Sequence, residues 1–133
     1  YLNSDNGITF FSRPTLYKKW LNRGDNILIA PSDRAAYYQL QANFYFRLAV
    51  VYIGLTPTAD LHNRLIAFIN QGKLKLSVNQ LKQFIQNRDI SAIIIQKKPN
   101  VLQPLLQQMG LQPIHAGGVW LYRSKPLLTT TSD

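Results

Sequence analysis

The residues best placed for chemistry in this 133-residue chain cluster around the turn Pro31-Ser32-Asp33-Arg34. A serine after a buried strand can be a nucleophile, and backbone N–H groups at a helix start, with an arginine beside them, form an anion site. The turn has no glycine. That argues against a nucleophile elbow, a dinucleotide fingerprint and a P-loop, all of which need glycine for a sharp turn or close backbone approach. Ser32 and Asp33 read instead as helix caps. The candidate ligand-binding set is Ser32, Asp33, Arg34, Tyr38, Gln39 and Arg47. Ser32 and Asp33 cap and orient, Arg34 and Arg47 hold an anionic group, and Tyr38 and Gln39 line the wall.

Other constellations offer less. His62 and His115 are the only histidines, and Asp60 and His62, two apart on an expected helix, point to different faces. No set of residues has metal-ligand spacing. The acidic residues are six Asp with no Glu, and their spacing suggests no carboxylate pair. Without cysteine there is no disulfide, zinc–thiolate site or thiol nucleophile. No catalytic residue, metal site or cofactor is therefore assigned.

Charge points to partners. Fifteen Lys and Arg against six acids give a formal net charge of +9. Such an excess attracts nucleic acid, anionic head groups or phosphorylated substrates. The charges are scattered, with small clusters at Lys18-Lys19, Lys73/Lys75 and Lys97-Lys98. Tyr37, Tyr38, Phe44, Tyr45, Phe46 and Tyr52 concentrate around Arg34 and Arg47. They read as a stacking surface or as core packing.

The elements that must position these residues follow from apolar patterning. Ile27-Leu28-Ile29-Ala30, between turn signals, is a strand buried on both faces, and Ala92-Ile93-Ile94-Ile95 is a second one. Ile8-Thr9-Phe10-Phe11 suggests an edge strand or entry segment. A helix with Leu16, Tyr17, Trp20 and Leu21 on one face follows, capped by Ser12 and stopped by Gly24. Asp33 caps a helix that fades near Asn43, and a strand is expected within 47–53, centred on Val50-Val51-Tyr52-Ile53. Two helical patterns then run through Leu61–Ile69 and from Ser77 to about Asn87. A helix capped by Asn100 ends at Gly110, and two strands meet at Gly117-Gly118. The expected fold is α/β and three-layer, with a mostly parallel sheet, helices on both faces and a C-terminal antiparallel hairpin at the edge. One domain covers 1–124, and 125–133 is expected to be a loose tail. The chain opens on Tyr1, so a longer parent polypeptide is expected. The longest apolar run, Leu48–Leu55, is far short of the roughly 20 residues of a membrane helix.

Several motifs together resemble a known family. They are Ile8-Thr9-Phe10-Phe11, Gly24-Asp25-Asn26-Ile27-Leu28-Ile29-Ala30-Pro31, the run Tyr38–Ala49 leading to Tyr52-Ile53-Gly54, the run Ile90–Ile95 and the ending Leu111–Arg123. The chain resembles, over nearly its whole length, the C-terminal extracytoplasmic domain of bacterial multi-pass membrane glycosyltransferase-like proteins, which use polyprenyl-phosphate-linked sugars. It departs from that pattern at Val50-Val51, where small residues or glycine are usual. The resemblance implies a non-catalytic domain on the extracytoplasmic face of a bacterial inner membrane. The catalytic carboxylate of such proteins lies in the membrane portion, so none is carried onto this chain. Implied partners are the membrane portion of the same polypeptide and an anionic lipid or glycan. A basic nucleic-acid-binding module is the alternative drawn from charge and aromatics, and a small α/β enzyme is a third.

Overall fold

A computed structural model describes residues 7–30, 34–49, 77–96 and 102–128. Its order is α1 (Ile8–Ser12), α2 (Pro14–Trp20), β1 (Asn26–Ala30), α3 (Ala35–Gln41), β2 (Arg47–Leu48), α4 (Val78–Asn87), β3 (Ala92–Ile95), α5 (Leu102–Gln108), β4 (Pro113–Ala116) and β5 (Val119–Arg123). The chain is an α/β protein with an open, mixed five-stranded sheet in the order β2-β1-β3-β5-β4.

The two apolar runs lie side by side at the centre of the sheet. β1 and β3 pair in parallel, Leu28 beside Ile93 and Ile29 beside Ile94. Side chains alternate across a strand, so each run supplies both faces. Leu28, Ala30, Ile93 and Ile95 join Leu81, Phe84 and Ile85 of α4 and Leu102 and Leu106 of α5. Ile27, Ile29, Ala92 and Ile94 join Phe10 and Phe11 of α1, Tyr17 of α2 and Tyr38 of α3.

The expectation of a mostly parallel sheet is corrected. β1 is parallel to β2 and β3, but β5 runs antiparallel to both β3 and β4. The hairpin therefore supplies two of the five strands, and its second strand is the inner one. Burial explains that choice. Val119, Leu121 and Tyr122 of β5 are buried, whereas Pro113 and His115 of β4 are exposed. Proline lacks a ladder donor and suits an edge. Gly117 and Gly118 turn the hairpin at φ 56° and 84°, the left-handed pair that a two-residue loop requires.

The 8–11 run is helix, not strand. Phe10 and Phe11 are both fully buried in the same cluster. Neighbours in a strand face opposite ways, but neighbours in a helix are only about 100° apart and can share one core. Arg13, not Ser12, is the N-cap of α2, with Pro14 in the first turn, while the Ser12 hydroxyl donates to Thr9 O at 3.3 Å. Ser77 opens α4 with a complete capping box. Its side chain accepts from Gln80 N at 3.1 Å, and Ser77 N donates to the Gln80 side chain at 3.0 Å.

Three helices end on the same backbone device. Asn43, Asp89 and Gly110 take left-handed φ values of 54°, 54° and 84°. The following residues Phe44, Ile90 and Leu111 donate to the carbonyls of Gln39, Ile85 and Leu106. These are Schellman closures. The helical pattern at 61–69, the core of the second predicted strand at 50–53 and the caps Asp33 and Asn100 lie outside the described residues. β2 as described is Arg47–Leu48 alone.

Candidate functional site

The described members of the ligand set expected from sequence, Arg34, Tyr38, Gln39 and Arg47, do not come together as one site. Ser32 and Asp33 lie outside the described residues. Arg34 is exposed at the start of α3, beyond the carboxyl end of β1. Arg47 opens β2 and registers with Asn26, the first residue of β1. Four strand steps of ~3.3 Å place the two ends of β1 about 13 Å apart, so Arg34 and Arg47 belong to opposite ends of the sheet. Tyr38 is fully buried and stacks on Phe11, with ring centroids 4.7 Å apart. It is core, not a site wall. Gln39 turns its amide back to Phe46 O at 3.4 Å and braces the turn after α3.

What the fold does assemble is a polar and cationic surface at the amino ends of β1, β2 and β3. Asp25 precedes β1, Arg47 opens β2, Ser91 precedes β3 and Arg123 ends the antiparallel β5. Arg123 Nη1 lies 3.0 Å from Asp25 Oδ2, with both side chains more than nine-tenths buried. Arg123 also donates to the carbonyls of Trp20 at 3.1 Å, Lys125 at 2.9 Å and Pro126 at 3.4 Å. Asp25 accepts from Asn22 N at 2.7 Å. Ser91 donates its N–H to Asn26 O at 2.7 Å, and Asn26 Nδ2 donates to Arg88 O at 2.6 Å.

Residues 125–128, expected as the start of a loose tail, are tied across this end. Lys125 pairs with Asp89, Asn22 Nδ2 donates to Pro126 O at 3.4 Å, and Leu128 N donates to Asn22 Oδ1 at 2.9 Å. Loose polar tails stay loose when nothing offers them partners, and here Asn22, Asp89 and Ser91 do. The hydrogen bond and charge of Lys125, with a smaller effect of Arg47, hold the Asp89 carboxyl below its ordinary range.

Tyr45 anchors the cationic side. Arg23 sits 5.0 Å and Lys18 5.4 Å from its ring centroid. Its hydroxyl donates to Leu21 O at 3.2 Å, and its ring lies 5.4 Å from that of Tyr17. Burial pushes the Tyr45 hydroxyl pKa up; Arg23 opposes that shift and Asp25 adds to it. Beside it, Lys19 lies 5.1 Å from the Trp20 ring. An aromatic ring with two cations within about 6 Å of its centroid is an electrostatically favourable arrangement, and both side chains remain exposed.

Sequence reading missed Asp25, Arg123, Lys18, Arg23 and Tyr45 as one group. Asp25 and Arg123 are 98 residues apart, and no spacing marks them. The β1–β3 and β3–β5 pairings together bring them into contact. Among the described residues no group of three or more His, Cys, Asp or Glu is arranged to hold a metal ion, and no helix is long and apolar enough to cross a membrane. Compared with family models, curated proteins and solved structures, the chain matches none.

Proposed function

We propose that this chain is a non-catalytic, extracytoplasmic domain of a bacterial multi-pass membrane glycosyltransferase-like protein, and that its basic end contacts anionic lipid or an acceptor glycan. In this reading the domain is a three-layer α/β unit with a hairpin at one edge, packed on the membrane portion of its own polypeptide. The observation that carries the reading is the basic end itself. Lys18 and Arg23 are exposed around Tyr45, Arg47 is exposed at the start of β2, and Arg88 and Lys125 are exposed on the turn after α4 and the segment after β5. Cations near an anionic bilayer each contribute about 1 kcal/mol of attraction.

The reading frame upstream of Tyr1 tests the parentage. It should encode several apolar spans of about 20 residues. A frame with none overturns the proposal. The same basic end, with its aromatic ring, also suits a nucleic-acid-binding module. Titration with labelled single- and double-stranded oligonucleotides at low salt separates the two. Binding that weakens steeply with added salt supports the nucleic-acid reading, and no binding removes it.

A further inference from the structure

The turn after α3 breaks a pattern that the closures of α4 and α5 obey. In a Schellman closure the apolar residue after the left-handed position packs on the helix residue five places earlier. Ile90 meets Ile85 in this way and both are buried; Leu111 stands opposite Leu106 and is half-buried. Phe44 stands opposite Gln39, and it is 62% exposed. Its own φ is +56°, so two successive non-glycine residues, Asn43 and Phe44, are left-handed. Asparagine tolerates that region, but a bulky side chain there is strained. The fold thus holds a large ring in water at a conformational cost, and burial does not repay it. Strain of this kind gathers at functional positions.

Phe44 does not stand alone. Tyr37 is 56% and Leu40 61% exposed, three residues apart on the outer side of α3, whose inner side carries Ala35 and Tyr38. All three are exposed apolar side chains on α3 or on the turn that closes it. Exposed cations lie by the closing turn: Arg47, three residues after Phe44 at the start of β2, and Lys18 and Arg23 around the ring of Tyr45, next in sequence.

We infer that the exposed apolar set Tyr37, Leu40 and Phe44 is a membrane-interface contact, with Phe44 inserted among lipid head groups of an anionic bilayer and Arg47, Lys18 and Arg23 holding the lipid phosphates. The assignment rests on the membrane-facing reading above and names the surface that carries it. Charge complementarity selects the occupant. An exposed aromatic and aliphatic set with a basic border at its closing turn matches the layered chemistry of acyl chain, interface and anionic head group. A second copy of the same chain, also at +9, brings like charge to that border.

The test is co-sedimentation of the domain with vesicles of phosphatidylcholine alone or with phosphatidylglycerol added. The domain should bind the anionic vesicles and lose affinity as salt rises. Phe44→Gly removes the ring and relieves the left-handed strain, so its melting temperature should stay level or rise. Its vesicle affinity should fall about ten-fold. Arg47→Ala should weaken binding about five-fold. A wild-type domain that ignores both vesicle types overturns the inference, and so does Phe44→Gly binding as well as wild type. A dimer that Phe44→Gly dissolves, or oligonucleotide binding that it abolishes, without any vesicle binding, also overturns it. Parentage fails separately. Vesicle binding by a domain whose upstream frame lacks apolar spans sinks the glycosyltransferase-like reading and leaves the lipid contact standing.

Discussion

Arg123, at the end of β5, places its guanidinium 3.0 Å from the carboxylate of Asp25, just before β1, and the pair is sealed from solvent. The two residues link the antiparallel half of the sheet to the parallel half. Removing one partner leaves the other buried and charged, the costly outcome for a buried pair. Asp25→Ala and Arg123→Met are each expected to lose about 3 kcal/mol in urea unfolding. The double variant should lose clearly less than the sum of the two. Additive losses would mean that the pair does not act as a unit.

Gly117 and Gly24 separate two costs that glycine replacement can carry. Both have positive φ, at 56° and 83°. A Cβ at Gly117 would lie 2.7 Å from Leu16 Cδ2 and 2.8 Å from Phe10 Cα, because the hairpin turn rests on the backbone of α1. A Cβ at Gly24 would meet nothing within 4 Å. Gly24→Ala should cost about 1 kcal/mol of left-handed strain. Gly117→Ala should cost about 3 kcal/mol, strain plus overpacking. Thermal melts that rank the two equally would remove the close approach to Phe10 from the account.

The capping box at Ser77 has a local effect on α4. Ser77→Ala is expected to lower stability by about 1 kcal/mol, and Ser77→Asp should restore most of it. Circular dichroism during denaturation reads both. A Ser77→Ala variant as stable as wild type would mean that the box contributes nothing.

Two groups set the pH limits of stability. The raised pKa of Tyr45 means that folding favours its neutral form. That contribution is whole below the ordinary tyrosine value of about 10 and is lost as pH rises through the folded value. Tyr45→Phe should flatten the alkaline limb of the stability curve. Asp89 behaves oppositely, since its pKa is lowered by the Lys125 hydrogen bond and charge. Its contribution is present above the ordinary carboxylate value of about 4 and is lost as pH falls through the lower folded value. Asp89→Asn should flatten the acid limb slightly, because this exposed pair is well screened. Unchanged limbs in both variants would assign the pH dependence elsewhere.

The local elements were legible because their signals lie within one or two turns of chain. Ile27–Ala30 and Ala92–Ile95 are unbroken apolar runs between polar boundaries, and they are the central strands. Ser77, Asn43 and Gly110 are cap residues whose side chain or backbone freedom does its work on the adjacent turn, and the helices begin or end there.

The tertiary structure decided what depends on partners distant in sequence. Phe10-Phe11 became helix because both rings had one core to enter, and β5 took the inner place because Val119, Leu121 and Tyr122 are buried while no residue of β4 is more than partly buried. Arg34 and Arg47, thirteen residues apart along the chain, went to opposite ends of the sheet, because α3 carries the chain from one end of β1 back to the other. By itself the sequence determined the two central strands and the helix starts and stops at Ser77, Asn43 and Gly110, since propensity and capping act between neighbours. Only the fold decided the Asp25–Arg123 pair, the basic end around Tyr45 and the exposed ring of Phe44. Strand order and register bring Asp25 and Arg123, 98 positions apart, into contact, and no local pattern encodes that choice.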